Sequence, residues 1–259
     1  MRNIIPISIL AITFICCAEE NTEQNLAVAS EVMVNSIDTP IVEIDTVEII
    51  EEPTWSFSDP YEHLTDEALL SLYTKKIKPN AQALRKSKMS SDSALYKALL
   101  QVWPAWYGTE WDFNGYTHKP RNGIVACGYF VSTTLRDVGM KLNRYDLAKL
   151  YSHAICTNIC GEDVMDLNDL DSVVNYIQSQ PDDIYIVGLD SHVGFLLKEN
   201  NQVFFVHSNY MGPVAVTKEI AVESDALNSS ERYVLGSILK NKDILQKWTN
   251  GTEIAIIKD

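Results

Sequence analysis

The stretch DSHVGFLLKENNQVFFVH, residues 190–207, predicts an antiparallel β-hairpin. Two apolar, β-rich segments flank a short polar turn, in which asparagine tolerates a positive φ. A hairpin symmetric about Asn200 and Asn201 places His207 opposite Gly194. His192 and His207 are then diagonal neighbours on one face, about 7–8 Å apart at the backbone. Because Gly194 has no side chain, we expect the two imidazole rings to approach each other.

The rest of the chain surrounds this hairpin with helices before it and strands after it. Apolar residues at helical spacing predict helices at residues 64–77, 91–102, 127–140, 145–155 and 167–178. Short β-rich segments predict further strands at residues 184–189, 214–218, 233–239 and 253–258. Helices followed by an antiparallel sheet are typical of an α+β domain, which we assign to residues 58–259.

A nucleophile is predicted in GIVACGYFVSTTLRDVG, residues 123–139. Val131, Leu135 and Val138 recur at helical spacing, so Cys127 stands where the helix begins. Unpaired amides and the helix dipole are expected to lower the pKa of a thiol there, which favours the reactive thiolate. A buried core cysteine is the alternative interpretation. With His192 as base and His207 as its orienting partner, the pattern favours nucleophilic catalysis.

Five segments occur in an order that resembles the NlpC/P60 family of papain-like cysteine peptidases. They are GTEWDFNG at 108–115, ACGYF at 126–130, PDDIY at 181–185, SHVGF at 191–195 and VFFVH at 203–207. The resemblance covers roughly half of the predicted mature chain. It implies a papain-like fold, in which the nucleophile helix packs on an antiparallel sheet, and a cysteine-dependent amide hydrolase acting on peptidoglycan stem peptides.

The resemblance also implies roles for particular residues, with no cofactor and no metal. Cys127 is the expected nucleophile, His192 the base and His207 the third catalytic residue. Trp111 stands where the family has a tyrosine that polarises the substrate carbonyl, and the backbone N–H of Cys127 is the other expected oxyanion donor. The candidate residues for oxyanion or substrate binding are Trp111, Asn114, Gly128 and Asn209.

This chain also departs from the family pattern. Ala126 replaces the usual aspartate, Gly128 and Tyr129 replace a serine-glycine pair, and helices are inserted between residues 145 and 178. We therefore expect a divergent member. A cysteine amidase or acyltransferase with a different substrate, and a non-catalytic binding lipoprotein of the cell envelope, are the alternative functions.

The N-terminal residues predict export. Arg2 precedes an apolar run at residues 4–14, which is shorter than the roughly 20 residues of a membrane span. The run ends at Cys16 and Cys17, which resemble a bacterial lipobox with Cys17 as the lipidated residue. We expect a signal peptide at 1–17, a lipid anchor in the membrane and a location in the bacterial cell envelope, on the periplasmic side or the cell surface. Simple secretion and a retained membrane anchor are the alternatives.

An acidic tether is predicted between this signal and the domain. Residues 18–57 contain many glutamates and no lysine or arginine, so they can bury little surface. The whole chain has a net charge of −14, which argues against a nucleic-acid partner. Such a charge favours a soluble monomer.

Two further groups of residues have more than one interpretation. His153, Cys156 and Cys160 share a helical face and could line the core, form a strained disulfide or hold Zn²⁺ with a fourth ligand. The second group is an aromatic cluster just before the predicted nucleophile, which could be core or the wall of a substrate groove. Its members are Trp103, Trp106, Tyr107 and Trp111.

Overall fold

A computed structural model describes residues 59–258 of the chain. The predicted signal peptide, the lipid-bearing Cys17 and the acidic tether lie outside these residues. None of the helices within residues 59–258 has the length and apolar character needed to cross a membrane.

The described residues form an α+β structure, as the sequence predicts. The helices are α1 (Asp66–Leu72), α2 (Lys78–Ala83), α3 (Ser91–Val102), α4 (Cys127–Asp137), α5 (Arg144–Ala148), α6 (Ser152–Cys160), α7 (Leu170–Ser179), α8 (Asp225–Asn228) and α9 (Lys242–Asn250). The strands are β1 (Lys141–Leu142), β2 (Met165–Leu167), β3 (Asp183–Gly188), β4 (Val193–Glu199), β5 (Gln202–Ser208), β6 (Val216–Ile220), β7 (Tyr233–Ser237) and β8 (Glu253–Ile254).

Six strands form one antiparallel sheet, in the order β2-β7-β3-β4-β5-β6. Its β4–β5 hairpin has the predicted register, because Glu199 pairs with Gln202 across the turn. Asn200 and Asn201 take φ values of 52° and 63°, the left-handed conformation that asparagine tolerates. The sequence therefore specified this hairpin correctly.

Other predicted elements differ in extent. The predicted helix at 145–155 is two helices, α5 and α6, because Tyr151 between them is extended at φ −58° and ψ 151°. The predicted helix at 64–77 passes through a π-helical turn, Tyr73–Ile77, before continuing as α2. The predicted strand at 253–258 is only the two-residue β8, which pairs in parallel with β1 rather than with the large sheet.

The large sheet is buried on both faces because alternate residues of its central strand enter different cores. In β3, Ile184 and Ile186 join a core with α3, α4, α6 and α9, whereas Tyr185 and Val187 pack with α7. Trp103 and Trp106 are fully buried in the first core, and the Trp103 ring lies 4.9 Å from Phe195. Core packing is therefore the correct interpretation of these two tryptophans.

A buried carboxylate joins the end of α4 to the N-terminal helices. Asp137 has no solvent exposure and accepts hydrogen bonds from the Tyr73 hydroxyl at 2.7 Å and the Lys78 ammonium at 2.8 Å. Arg136 donates to the same carboxylate at 2.8 Å. The Tyr73 hydroxyl in turn accepts from Trp106 Nε1 at 3.0 Å. Since α4 begins at Cys127, these contacts anchor the helix that carries the predicted nucleophile.

Candidate active site

Three backbone contacts fix the residues immediately before Cys127. The amide of Val125 donates to the Glu110 carbonyl at 2.9 Å, and the amide of Ala126 donates to the Gly115 carbonyl at 2.9 Å. From the other side, the Ser208 hydroxyl of β5 donates to the Val125 carbonyl at 2.8 Å. The loop around residues 110–115 and the sheet therefore hold the start of α4 between them.

Gly128 lets α4 begin close to α5. A Cβ atom at this position would lie 2.7 Å from the Ala148 carbonyl oxygen, which is closer than side-chain carbons are tolerated. Gly128, which the sequence suggests for oxyanion or substrate binding, thus has a packing role at the start of α4. Gly128 also lines the cavity described next.

A cavity of about 630 Å³ opens at the start of α4. Its walls come from residues within 111–113, 126–129, 148–155 and 190–193, together with Tyr210. Both Cys127 and His192 line it, although they are 65 positions apart in the sequence. The fold therefore brings the predicted nucleophile and the predicted base to one cavity.

The Cys127 sulfur lies where helix amides can interact with it. No side chain caps α4, because its N-cap residue is Ala126. Hydrogen bonds from the backbone amides of Val193, Gly128 and Cys127 itself lower the thiol pKa, but burial outweighs them and raises it above the usual 9.0. This outcome differs from the sequence expectation of a lowered pKa, since the helix start is more buried than an exposed terminus.

The two predicted histidines contact each other directly. Nε2 of His192 lies 2.9 Å from Nδ1 of His207. On its other side, Nε2 of His207 lies 2.9 Å from Oε1 of Glu219 in β6. We refer to His192, His207 and Glu219 as the His-His-Glu triplet.

The triplet is enclosed by protein on every side except the cavity. His207 has no solvent exposure, and its ring stacks on Phe205 at 3.9 Å. A Cβ atom on Gly194 would lie 2.5 Å from the Phe205 ring and 2.8 Å from the His207 Cβ, so the missing side chain lets these two residues of β5 pack closely against β4. Burial lowers the pKa of His207 to about 3 and lowers that of His192 well below 6.5. Both rings are therefore neutral at pH 7.

Cys127 and His192 line the same cavity, but their side chains are not joined by a direct hydrogen bond among the described residues. Within residues 59–258, no hydrogen bond joins the Cys127 sulfur to the His192 ring, whose Nε2 is engaged by His207. The amide of Val193, the residue after His192, is in hydrogen-bond contact with the sulfur. Catalytic hydrogen bonds commonly tighten only when substrate binds. Nδ1 is the nitrogen of His192 that remains for Cys127.

Trp111, the predicted oxyanion donor, lies in the wall of the cavity. Its ring lies 5.9 Å from that of Tyr210, and its Nε1 is buried with no hydrogen-bond partner among the described residues. A buried donor without a partner is costly. Unlike Trp103 and Trp106, Trp111 thus belongs to the wall of the cavity.

Two candidate residues are not part of the cavity, which corrects the sequence prediction. Asn114 is exposed in a turn whose backbone bonds to Asp112. Asn209 is buried, but its amide group donates to the Gly212 carbonyl and accepts from the Met211 amide. The side chain of Asn209 therefore stabilises the loop after β5 and does not line the cavity.

The cysteines of α6 belong to the core. Cys156 and Cys160 are free thiols, which excludes the disulfide in this structure, and their sulfurs contact the carbonyls of Ile186 and Gly236. In the part of the chain that the structure describes, no group of three or more potential ligand side chains could hold a metal ion. Of the three interpretations given for His153, Cys156 and Cys160, core packing describes both cysteines.

The sequence did not single out Glu219, Tyr210 or the exposed rings at the cavity. Phe113 and Tyr151 line the cavity and are 81% and 89% exposed. The only signal for Glu219 was the alternation in VTKEI, which places Thr217 and Glu219 on one face of a strand. That alternation does not indicate which face is buried.

The chain matches no protein-family model, no curated protein and no solved structure.

Proposed function

We propose that this protein is a cysteine-dependent amide hydrolase of papain-like type, a divergent relative of the NlpC/P60 peptidases. One observation carries the proposal: Cys127, at the uncapped start of α4, and His192, held by a second buried histidine, line the same cavity. Two neutral imidazoles in series beside a thiol can accept and return a proton.

The first half of the reaction forms a thioester. The Cys127 thiol gives its proton to Nδ1 of His192 while the sulfur attacks the carbonyl carbon of the amide. The C–N bond then breaks, and the leaving nitrogen takes the proton from His192. The amine product departs, and the acyl group stays on the sulfur.

The second half releases the acyl group. His192 accepts a proton from a water molecule as that water attacks the thioester carbonyl. The C–S bond breaks, the acid product leaves, and the proton returns to the sulfur. In both halves the carbonyl oxygen becomes negative, and the N–H groups of Trp111 and Cys127 supply the stabilising hydrogen bonds.

We propose peptidoglycan stem peptides as the substrate class. The cavity is open enough for a peptide and carries one charge of each sign, on Lys149 and Asp190. The export signal and the lipid anchor predicted at Cys17 would put the domain in the cell envelope, where such peptides occur. The proposal includes that location.

Purified cell wall is the direct test. Incubation with the full-length protein should release soluble peptides that mass spectrometry identifies as stem-peptide fragments, and prior treatment with iodoacetamide should prevent the release. If nothing is released although iodoacetamide still alkylates Cys127, the enzyme acts on a different acyl donor. If Cys127→Ala releases the same peptides at the same rate as the wild type, the hydrolase proposal is wrong.

We expect activity to persist into mildly acidic solution. His192 must be neutral to accept the thiol proton, and burial lowers its pKa well below 6.5. Protonation of the base, and the accompanying loss of kcat/KM, is therefore expected only as the pH falls below about 6.5. A pH profile of kcat/KM between 4 and 8 measures this, and an acidic midpoint at or above 6.5 would contradict the assignment of His192 as the base.

The exposed rings at the cavity should affect binding rather than chemistry. Replacing Phe113 or Tyr151 by alanine is expected to raise KM about tenfold while kcat changes less than about twofold, because contacts made equally in ground and transition states act on KM. Ile257→Ala is the matched control, since Ile257 is 70% exposed but does not line the cavity. Steady-state kinetics separate the two parameters, and a fall in kcat alone would place the rings in a different role.

A further inference from the structure

Glu219 is a buried carboxylate that the proposed reaction has not yet used. Only 6% of Glu219 is exposed, and its Oε1 lies 2.9 Å from Nε2 of His207. Burying a carboxylate is unfavourable unless it is well paired. Its partner His207 is itself fully buried and neutral, so the pair gains little from opposite charges in the resting state. We therefore interpret the hydrogen bond between Glu219 and His207 as a contact that orients the His207 ring.

The contacts of the triplet determine where its protons lie. Burial raises the pKa of the Glu219 carboxyl group, and a hydrogen bond with the Ser224 side chain lowers it. In its ionised form the carboxylate can only accept, so Nε2 of His207 carries a proton and donates to Glu219. A neutral imidazole has one N–H, so Nδ1 of His207 is an acceptor and Nε2 of His192 must donate to it. Nδ1 of His192 is then unprotonated, which is the state that a base for the Cys127 thiol requires.

Without a hydrogen-bond acceptor at position 219, the positions of the protons on the two imidazole rings would not be fixed. His207 could equally carry its proton on Nδ1 and donate it to His192 Nε2. His192 would then hold its own proton on Nδ1, facing the cavity, and could not accept another there. The stacking of Phe205 on His207 holds the plane of the His207 ring but does not determine its tautomer.

We propose that Glu219 is a positioning residue of the active site, which sets both imidazoles in the tautomer that leaves Nδ1 of His192 free to accept the Cys127 proton. This inference rests on the proposed cysteine hydrolase. When His192 accepts the proton, the Glu219 carboxylate also stabilises the positive charge that the two rings then share.

Nitrogen NMR of the wild-type full-length protein tests the tautomers without any substrate. With ¹⁵N-labelled histidine at pH 7, we expect His192 and His207 both to carry the proton on Nε2 and to have a bare Nδ1. Assignment uses the His192→Gln and His207→Gln variants. A His207 ring protonated on Nδ1 would overturn the proposal, whatever the protein hydrolyses.

Alkylation of Cys127 by iodoacetamide tests the effect on the nucleophile. Glu219→Leu removes the hydrogen-bond acceptor and keeps a side chain of similar size, so the rate at pH 7, followed by peptide mass spectrometry, should fall about tenfold. Glu199→Leu is the matched control, because Glu199 lies on the same sheet and pairs with Lys218 instead. An unchanged rate in Glu219→Leu, with a native circular dichroism spectrum, would exclude the positioning role.

The two proposals fail in different ways. If Cys127→Ala hydrolyses amides as fast as the wild type, the hydrolase proposal is wrong, and the tautomer measurement still decides the role of Glu219. If hydrolysis requires Cys127 and Glu219→Leu is alkylated as fast as the wild type, the hydrolase proposal stands and the positioning role is wrong.

Discussion

Replacing Cys127 by alanine is expected to lower the rate of amide hydrolysis by about 10⁴-fold or more. The sulfur forms the covalent intermediate, so its loss removes the whole pathway and not one stabilising contact. Release of peptides from purified cell wall, measured as initial rates by chromatography, gives the ratio. The variant should still bind substrate, since the cavity walls are unchanged.

A second thiol provides the control for this variant. Cys156→Ala also removes a sulfur, but Cys156 is buried in α6 against the Ile186 carbonyl and does not line the cavity. It should retain full activity with some loss of stability from the space left in the core. Equal activity of Cys127→Ala and the wild type would exclude Cys127 as the nucleophile.

Asp137→Ala is expected to destabilise the protein by about 3 kcal/mol, the largest effect on stability that we predict. The carboxylate has no solvent exposure and accepts from Tyr73, Lys78 and Arg136. Its removal leaves the buried Tyr73 hydroxyl without its acceptor and the two cations without their shared anion. Urea unfolding at pH 7, analysed by linear extrapolation, measures the difference in free energy.

Two further variants show whether the charge and the burial of Asp137 cause the loss of stability. Asp137→Asn keeps an acceptor oxygen but removes the charge, so its free energy of unfolding should fall by less than that of Asp137→Ala. Asp243→Ala removes an exposed carboxylate that pairs with Lys247 four residues on, and it should cost less than about 0.5 kcal/mol. Comparable losses of stability in Asp137→Ala and Asp243→Ala would show that the buried network stabilises the protein no more than an exposed ion pair does.

The parts of the fold that depend on local patterns were predictable from the sequence. The register of the β4–β5 hairpin followed from two asparagines and from alternating apolar residues, and the start of α4 at Cys127 followed from helical spacing. The same reasoning placed His192 and His207 side by side, as they are. Turn conformation and side-chain periodicity act over a few residues, so one sequence is enough to infer them.

Features that depend on distant contacts were not predictable. Glu219 lies on β6, and only its pairing with β5 and its burial distinguish it from an ordinary strand glutamate. Asn209 was a reasonable polar candidate until the loop after β5 took up its amide group. Helices α5 and α6 are separate because the backbone at Tyr151 is not helical, and the spacing of apolar residues does not indicate that break. In each case the structure is determined by a residue distant in the sequence or by main-chain groups.

The absent side chain at Gly194 has an evolutionary consequence. A Cβ atom there would lie 2.5 Å from the Phe205 ring and 2.8 Å from the His207 Cβ. Every other amino acid carries that atom, so random mutagenesis of codon 194 followed by selection for function would return glycine alone. Homologous genes that keep Phe205 and the paired histidines would show the same invariance.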